Sequence, residues 1–176
     1  MKRWLLLSTT VGMSLAFGAN LSDAIEQPEA ASIIQKDLLG PAKAYTMPSG
    51  CITDDKDAIA RGGYIFHNLN GEKAKATPPK GLSKKNADGS PKQYGNCVAC
   101  HNIEGAKGAG NIGPDLTDYN AFFIQTGTRT PQFVYQKIAD PRIDNPNTHM
   151  TVNLTTGLFT EREICDIASY IVAVKH

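Results

Sequence analysis

The sequence predicts an all-α domain, because apolar residues recur at helical spacing near both ends of the chain and a third helix is predicted between them. The spacing i, i+3, i+4, i+7 gives a helix one apolar face. We find no internal repeat and no two segments suited to pair as strands. We therefore expect the two terminal helices to pack against each other and to frame the fold.

The composition indicates a globular chain of about one domain. The chain has 176 residues, of which 41% are hydrophobic and 20% charged, and its formal net charge is +1. This composition argues against global disorder. The balanced charge removes the usual electrostatic argument for nucleic-acid binding. The four cysteines are too few for a disulfide-rich miniprotein, so each needs its own explanation.

The first residues are typical of a secretory signal. Met1–Arg3 is basic, and Trp4–Phe17 is uncharged but shorter than the roughly 20 residues needed to span a bilayer. We predict a cleaved signal peptide over residues 1–24, with Ala24 or Gly18 as the last residue removed. An uncleaved anchor or a buried helix is the alternative. Cleavage after Ala24 leaves a chain of zero net charge, and export predicts a periplasmic location, where disulfides persist.

Residues 25–50 are predicted to form an arm that precedes the main domain, residues 51–176. Its short apolar stretch stops at Gly40 and Pro41. The stretch is too short to build its own core. The arm therefore packs on its own domain or on a partner, or it is a weakly ordered extension.

The first helix of the main domain is predicted from Asp54 onward. Its expected inner face comprises Ile59, Gly62, Gly63 and Phe66. Glycine lowers helix propensity, so the two glycines need a reason. Close approach of another backbone is the best available one.

Two further helices carry start signals. Thr160 and Glu163 form a capping box, which places the start of the last helix near residue 161. Thr130 and Pro131 are a cap and a first turn, so a middle helix is predicted from there to a point before Pro141. The predicted inward side chains are Val134 and Ile138 in the middle helix, and Ile164, Ile167, Ala168 and Ile171 in the last.

Residues 71–92 form a lysine-rich insertion without an apolar period. Six lysines stand against Glu72 and Asp88, a local net charge of +4. A solvated insertion is one interpretation. A docking surface for an acidic partner is the other.

The run from Cys97 to His101, CVACH, carries the chemistry. C-x-x-C-H is the attachment signature of c-type haem, in which Cys97 and Cys100 bond the vinyl groups and His101 becomes the proximal iron ligand. A thioredoxin-like pair needs a surrounding βαβ pattern, which the sequence lacks. A zinc site needs a second ligand pair, whereas Cys51 and Cys165 stand alone. One covalently bound haem c is therefore predicted.

A segment twelve residues beyond the motif can orient the histidine. The carbonyl of Pro114 could accept the Nδ1 proton of His101, which leaves Nε2 for iron. Proline suits this role because its φ is restricted. An ordinary surface turn is the alternative.

The second axial ligand must come from the residues after the motif. Met150 lies in a polar loop without an apolar helical face to join, so we predict it as the distal ligand. A thioether favours reduced iron, as a carrier requires. His149 and His176 are the alternatives, and Met47, upstream, is predicted to be a packing residue.

Several apolar side chains could wall a haem, and all are equally good core residues: Ile112, Leu116, Tyr119, Phe122, Phe123, Val134, Tyr135 and Ile138. Among them, Leu116 and Tyr135 are predicted cofactor contacts. A dry pocket stabilises the less charged ferrous state.

Cys51 and Cys165 flank the two helices that we expect to pack together. A disulfide between them is predicted, and on the chain-entropy model it would contribute roughly 4–5 kcal/mol. Two buried thiols, or a bridge to another chain, are the other possibilities.

Together these features resemble the class I cytochromes c, whose fold packs the terminal helices across each other around one haem. More narrowly, residues 95–101, 110–116 and 138–150 resemble the SoxX family, the monohaem subunits of the SoxAX cytochromes of periplasmic sulfur oxidation. Thr151 follows Met150, where that family usually has proline.

The resemblance implies a function within a complex. The SoxAX complex, an L-cysteine S-thiosulfotransferase, couples thiosulfate oxidatively to a cysteine of the carrier protein SoxYZ. The reactive cysteine belongs to SoxA, so the resemblance implies a heterodimer with SoxA. This chain would pass electrons to a soluble cytochrome, and we expect no catalytic residues in it. A freestanding periplasmic carrier is the alternative, and a haem sensor or peroxidase-like protein, with a labile distal ligand, is a third possibility.

Overall fold

A computed structural model describes residues 39–173. The predicted signal peptide, the first part of the arm (25–38) and His176 lie outside these residues. The helices are α1 (Lys56–His67), α2 (Pro131–Ala139) and α3 (Glu161–Ala173), with 3₁₀ turns at Cys97–Ala99 and Pro141–Ile143 and a π-helical turn at Asn120–Ile124. Extended pairing in the described region is limited to two isolated antiparallel bridges. The all-α prediction is confirmed for this region.

Helices α1 and α3 cross in close contact at Gly62. A Cβ atom on Gly62 would overlap the backbone carbonyl of Asp166, so only glycine permits this approach. The predicted role of this glycine is confirmed. The predicted inner face of α1 was partly wrong, because Ile59 is only half-buried whereas Ala58 and Ile65 are buried. The helix is rotated slightly so that Gly62 lies at the crossing point.

Helix α3 begins as its capping box predicts. The backbone N–H of Glu163 donates to Thr160 Oγ1 at 3.3 Å, and the backbone N–H of Thr160 donates to Glu163 Oε2 at 3.0 Å. Its four predicted inward residues are all buried.

A bidentate ion pair joins α1 to α3. Arg61 Nε and Nη2 donate to the Asp166 carboxylate at 2.7 and 2.8 Å.

Helix α2 also matches its prediction. Thr130 Oγ1 accepts a hydrogen bond from the backbone N–H of Phe133 at 3.1 Å, and Pro131 is the first helical residue. Val134 and Ile138 are buried. The helix ends at Ala139, before Pro141, because proline cannot continue it.

The described part of the arm lies along α2 and is held by glutamine side chains. Gln136 accepts from the backbone N–H of Tyr45 at 2.7 Å and donates to the Lys43 carbonyl at 3.0 Å. Gln132 accepts from the N–H of Met47 at 2.8 Å and donates to the Tyr45 carbonyl at 2.8 Å. This segment therefore packs on its own domain, and Met47 packs against the core as predicted.

The lysine-rich insertion is more ordered than a solvated insertion would be. Gly71 and Ala74 are buried, and Lys84 Nζ donates to the Ala74 carbonyl at 2.6 Å. Lys92 Nζ lies 2.7 Å from a carboxylate oxygen of Glu163, a buried residue of α3. Lys92 thus binds the rest of the domain, whereas Lys84 bonds within the insertion itself.

Cys51 and Cys165 form a disulfide across a sequence separation of 114 residues, which confirms their predicted pairing. The bond joins the segment before α1 to the middle of α3. No helix among residues 39–173 has the length and apolar character to cross a membrane.

Candidate haem site

The CVACH segment forms a tight 3₁₀ turn over Cys97–Ala99. The backbone N–H groups of Cys100 and His101 both donate to the carbonyl of Cys97, at 3.0 and 2.9 Å. The turn begins after Asn96, whose φ of 44° lies in the left-handed region that asparagine tolerates. Both cysteines are free and half-buried.

The thiol of Cys97 is not activated. Burial raises its pKa to about 12, so it stays protonated at neutral pH. A thioredoxin-like cysteine needs the opposite shift, toward a stable thiolate. Residues 39–173 also contain no group of three His, Cys, Asp or Glu side chains arranged to hold a metal ion.

The imidazole of His101 is held in one tautomer. Its Nδ1 lies 2.8 Å from the carbonyl oxygen of Pro114, as the sequence predicted. A carbonyl can only accept, so Nδ1 carries the proton and Nε2 presents a lone pair. Such a contact fixes the ring orientation of a metal-binding histidine and raises its basicity.

Three glycines let the backbone pack against this segment, a role that the sequence analysis missed. A Cβ atom on Gly113 would lie 2.6 Å from His101 Nδ1, and one on Gly95 would lie 2.7 Å from Cys97 Sγ. A Cβ on Gly110 would overlap the carbonyl of Ala99. Only glycine fits at such distances. The repeated glycines around C-x-x-C-H were the available signal.

The segment that carries Pro114 is itself tied to the residue after His101. Asn102 Nδ2 donates to Asp115 Oδ2 at 3.0 Å, and the N–H of Leu116 donates to the Asn102 carbonyl at 2.9 Å. These bonds keep the Pro114 carbonyl at a constant distance from the imidazole. Nothing in the local sequence pairs Asn102 with Asp115, so only the fold reveals this contact.

Met150 lies in the loop after α2, half-buried and packed against the core. Its backbone N–H donates to Thr148 Oγ1 at 3.1 Å. The neighbouring His149 is exposed, as expected if the two side chains point in opposite directions. Cys97 and Val98 pack against the same core cluster. Met150 is thus the more buried of the two side chains.

The predicted wall residues divide into two groups. Leu116, Val134, Tyr135 and Ile138 are buried, and the rings of Tyr119 and Phe123 contact each other with centroids 4.8 Å apart. Ile112 and Phe122 are 73% and 63% exposed, so they do not belong to a closed apolar wall of the protein alone.

Tyr135 lies wholly within the core, and its hydroxyl has no hydrogen-bond partner among the described residues. Burial raises the pKa of this hydroxyl, as do the nearby Glu161 and Tyr45. This placement supports the core role that the sequence left open for it.

The residues present fit a covalently bound haem. The two free thiols suit thioether formation, and the Nε2 atom of His101 suits a bond to iron. Gly95 packs closely against the Cys97 side chain, and Gly113 packs closely against the His101 ring. These contacts restrict the positions of both side chains. Cys97, Cys100 and His101 would hold the group.

Comparison with known proteins agrees with this site. No curated protein matches the chain significantly. The family model described as Cytochrome c matches residues 87–175, just over half of the chain and a range that includes the CVACH segment. This family carries covalently bound haem c and transfers electrons. The chain therefore belongs to the cytochrome c family.

Proposed function

We propose that this chain is a periplasmic electron-transfer subunit of the SoxX type, with His101 and Met150 as the axial ligands of one haem c. In a SoxAX complex it would accept electrons released when thiosulfate is coupled to the SoxYZ carrier cysteine. It would pass them to a soluble cytochrome. No residue of this chain is assigned a catalytic role.

The proposal of electron transfer rests on one contact. His101 Nδ1 lies 2.8 Å from the carbonyl oxygen of Pro114. Haem supplies reversible one-electron chemistry when bound. The chain must then keep the ligand geometry constant between the two charge states. An imidazole anchored by a backbone carbonyl, with Gly113 against its ring, meets that requirement.

The half-buried position of Met150 supports its assignment as the distal ligand. A thioether from the core side raises the reduction potential and favours the ferrous state. With two protein ligands, iron has no open position for a substrate. The proposal is therefore a carrier subunit, and a sensor or peroxidase-like role requires a labile distal ligand instead.

The SoxX assignment rests on the resemblance of residues 95–101, 110–116 and 138–150. One observation favours the second candidate, a freestanding carrier. The described part of the arm, Lys43 to Met47, is hydrogen-bonded to α2 of its own domain, so its backbone there is already engaged within the chain. The two candidates differ in whether a second haem chain accompanies this one.

Capture of the affinity-tagged full-length protein from the periplasm of its native host tests the assignment. We expect a second c-type haem chain to co-purify at one copy per copy of this chain, as judged by haem staining and size-exclusion chromatography. Periplasm that carries an unrelated tagged cytochrome is the control. Recovery of a monomeric haem protein without a second haem chain contradicts the SoxX assignment and favours the freestanding carrier.

A further inference from the structure

A cavity of about 580 Å³ lies between the lysine-rich loop, residues 71–92, and the beginning of α3. The loop contributes Leu82, Lys85 and Lys92 to its lining, and the helix contributes Arg162 and Glu163. The cavity thus combines three cationic side chains with one carboxylate. It is formed only because the loop folds back onto α3.

The one carboxylate in this lining is already neutralised. Glu163 is buried, and Lys92 Nζ lies 2.7 Å from its Oε1 atom. Its other oxygen accepts from the backbone N–H of Thr160 at 3.0 Å. Glu163 and Lys92 therefore form an ion pair, and the positive charges of Lys85 and Arg162 remain in the cavity.

The two remaining cations are accessible. Lys85 is exposed, and within residues 39–173 no carboxylate lies at ion-pair distance from its ammonium group. The side chain of Arg162 is 58% exposed and donates to the Gly81 carbonyl at 2.7 Å. Its nearest carboxylate, Asp166, is 3.9 Å away and is bonded mainly to Arg61. Both cations can meet an external anion.

The loop is ordered before any ligand arrives. The N–H of Gly71 donates to the Lys92 carbonyl at 2.8 Å, and the N–H of Lys92 donates to the Lys84 carbonyl at 2.9 Å. Tyr94 Oη donates to the Ser83 carbonyl at 2.7 Å. A pre-ordered loop lowers the entropy lost on binding. Its exposed lysines Lys73, Lys75 and Lys80 extend the positive surface beyond the cavity.

We propose that the cavity and the lysine-rich loop form a docking surface for an acidic peptide segment of a partner protein. Carboxylate side chains of such a segment would pair with Lys85 and Arg162. Positive surfaces of this kind steer association and give it specificity.

Other polyanions fit less well. Residues 71–92 contain no aromatic side chain on which bases could stack, and the whole chain carries a charge of only +1. Binding to a membrane surface would be strengthened by exposed apolar side chains beside the cations. The exposed large apolar residues of the described region, Leu69, Ile112, Phe122 and Ile143, all lie outside the loop.

The test is titration of the ¹⁵N-labelled, haem-loaded, reduced protein with a hexaglutamate peptide, followed by NMR. We expect saturable shifts at residues 80–92 and 160–163, and weaker binding as NaCl is raised. Lys85→Glu should weaken binding about tenfold. The matched control Lys107→Glu alters an exposed lysine outside the cavity lining and should change binding by less than about twofold.

Three results would overturn the proposal. The first is the absence of saturable shifts at these residues. The second is equal weakening by Lys107→Glu, which would mean that only net charge matters. The third is stronger perturbation of the same residues by oligothymidylate or by anionic lipid vesicles. The titration measures peptide binding alone, so its outcome is independent of whether the chain pairs with SoxA.

Discussion

Gly113 lies against the imidazole of His101 so closely that a Cβ atom would come within 2.6 Å of Nδ1. The carbonyl oxygen of the next residue, Pro114, accepts a hydrogen bond from that nitrogen. The two residues thus restrict the ring in different ways, one by contact and one by a hydrogen bond. The ring cannot rotate without moving the segment that holds it.

Gly113→Ala should disturb the axial histidine. Overpacking of about 1–3 kcal/mol would push the ring away from the Pro114 carbonyl. A weaker hydrogen bond makes the imidazole less basic, so ferric iron is less stabilised and the reduction potential rises. Spectroelectrochemistry of the haem-loaded protein measures this. Gly40→Ala is the control, since a Cβ there meets no atom within 4 Å. An unchanged potential would contradict the ring-positioning role.

Met150→Ala should abolish the near-infrared absorption band of Met–Fe(III) ligation and lower the reduction potential, because the thioether that favours ferrous iron is lost. His149→Ala alters the adjacent, exposed residue and should retain the band. If the band persists in Met150→Ala, another residue is the distal ligand.

Removal of the Cys51–Cys165 disulfide should lower the free energy of unfolding. The bond closes a loop across a sequence separation of 114, which predicts a loss of about 4–5 kcal/mol on the chain-entropy model. The double variant Cys51→Ala/Cys165→Ala isolates the effect in chemical denaturation of the haem-loaded protein. Dithiothreitol should destabilise the wild type and leave the double variant unchanged. Detectable free thiols in the denatured, unreduced wild type would show that the bond does not form.

Gly62→Ala should separate α1 from α3. The new Cβ would overlap the Asp166 carbonyl, and backbone cannot yield as a side chain does, so we expect a loss of about 3 kcal/mol or folding failure. Gly63→Ala is the matched comparison, because its Cβ would meet the ring of Tyr170 at 3.0 Å and that ring can move. Thermal unfolding should show the smaller loss for Gly63→Ala. Equal losses, or gains from the higher helix propensity of alanine, would contradict the special role of Gly62 at the crossing.

Acid should weaken the attachment of the arm. Burial alone would raise the pKa of Asp140, but hydrogen bonds from Arg142, the Lys43 N–H and Thr155 lower it overall. A carboxylate with a lowered folded pKa contributes stability at pH values above its unfolded pKa, and that contribution is lost as the pH falls through the folded value. Stability should therefore fall on acidification below about pH 4.

Asp140→Asn tests this attribution. The variant removes the buried charge and its ion pair with Arg142, at a cost of about 3 kcal/mol near neutral pH. Its unfolding free energy should depend less on pH below about 4 than that of the wild type. A parallel pH dependence in both proteins would assign the acid sensitivity to other groups, with Glu163 as the first candidate because its pKa is also lowered.

Much of the fold could be predicted from local sequence. Thr130 with Pro131 predicted where α2 begins, and the capping box of Thr160 and Glu163 predicted where α3 begins. Such caps act within one helical turn, so the local sequence is enough to recognise them. The CVACH spacing likewise indicated haem attachment, since two thiols and an imidazole within five residues need no distant partner to be recognised. Each of these signals has its physical cause inside the segment that displays it.

The remaining features depend on contacts between distant segments. The face of α1 that is buried is set by the crossing at Gly62, so Ala58 and Ile65 replaced Ile59 inside. The arm lies on α2 because two glutamines pair with its backbone. Lys92 of the loop pairs with Glu163 of α3, and the glycines at 95, 110 and 113 pack against the CVACH turn. Local spacing decides which groups are available for chemistry, whereas close packing between segments far apart in sequence decides how those groups are held.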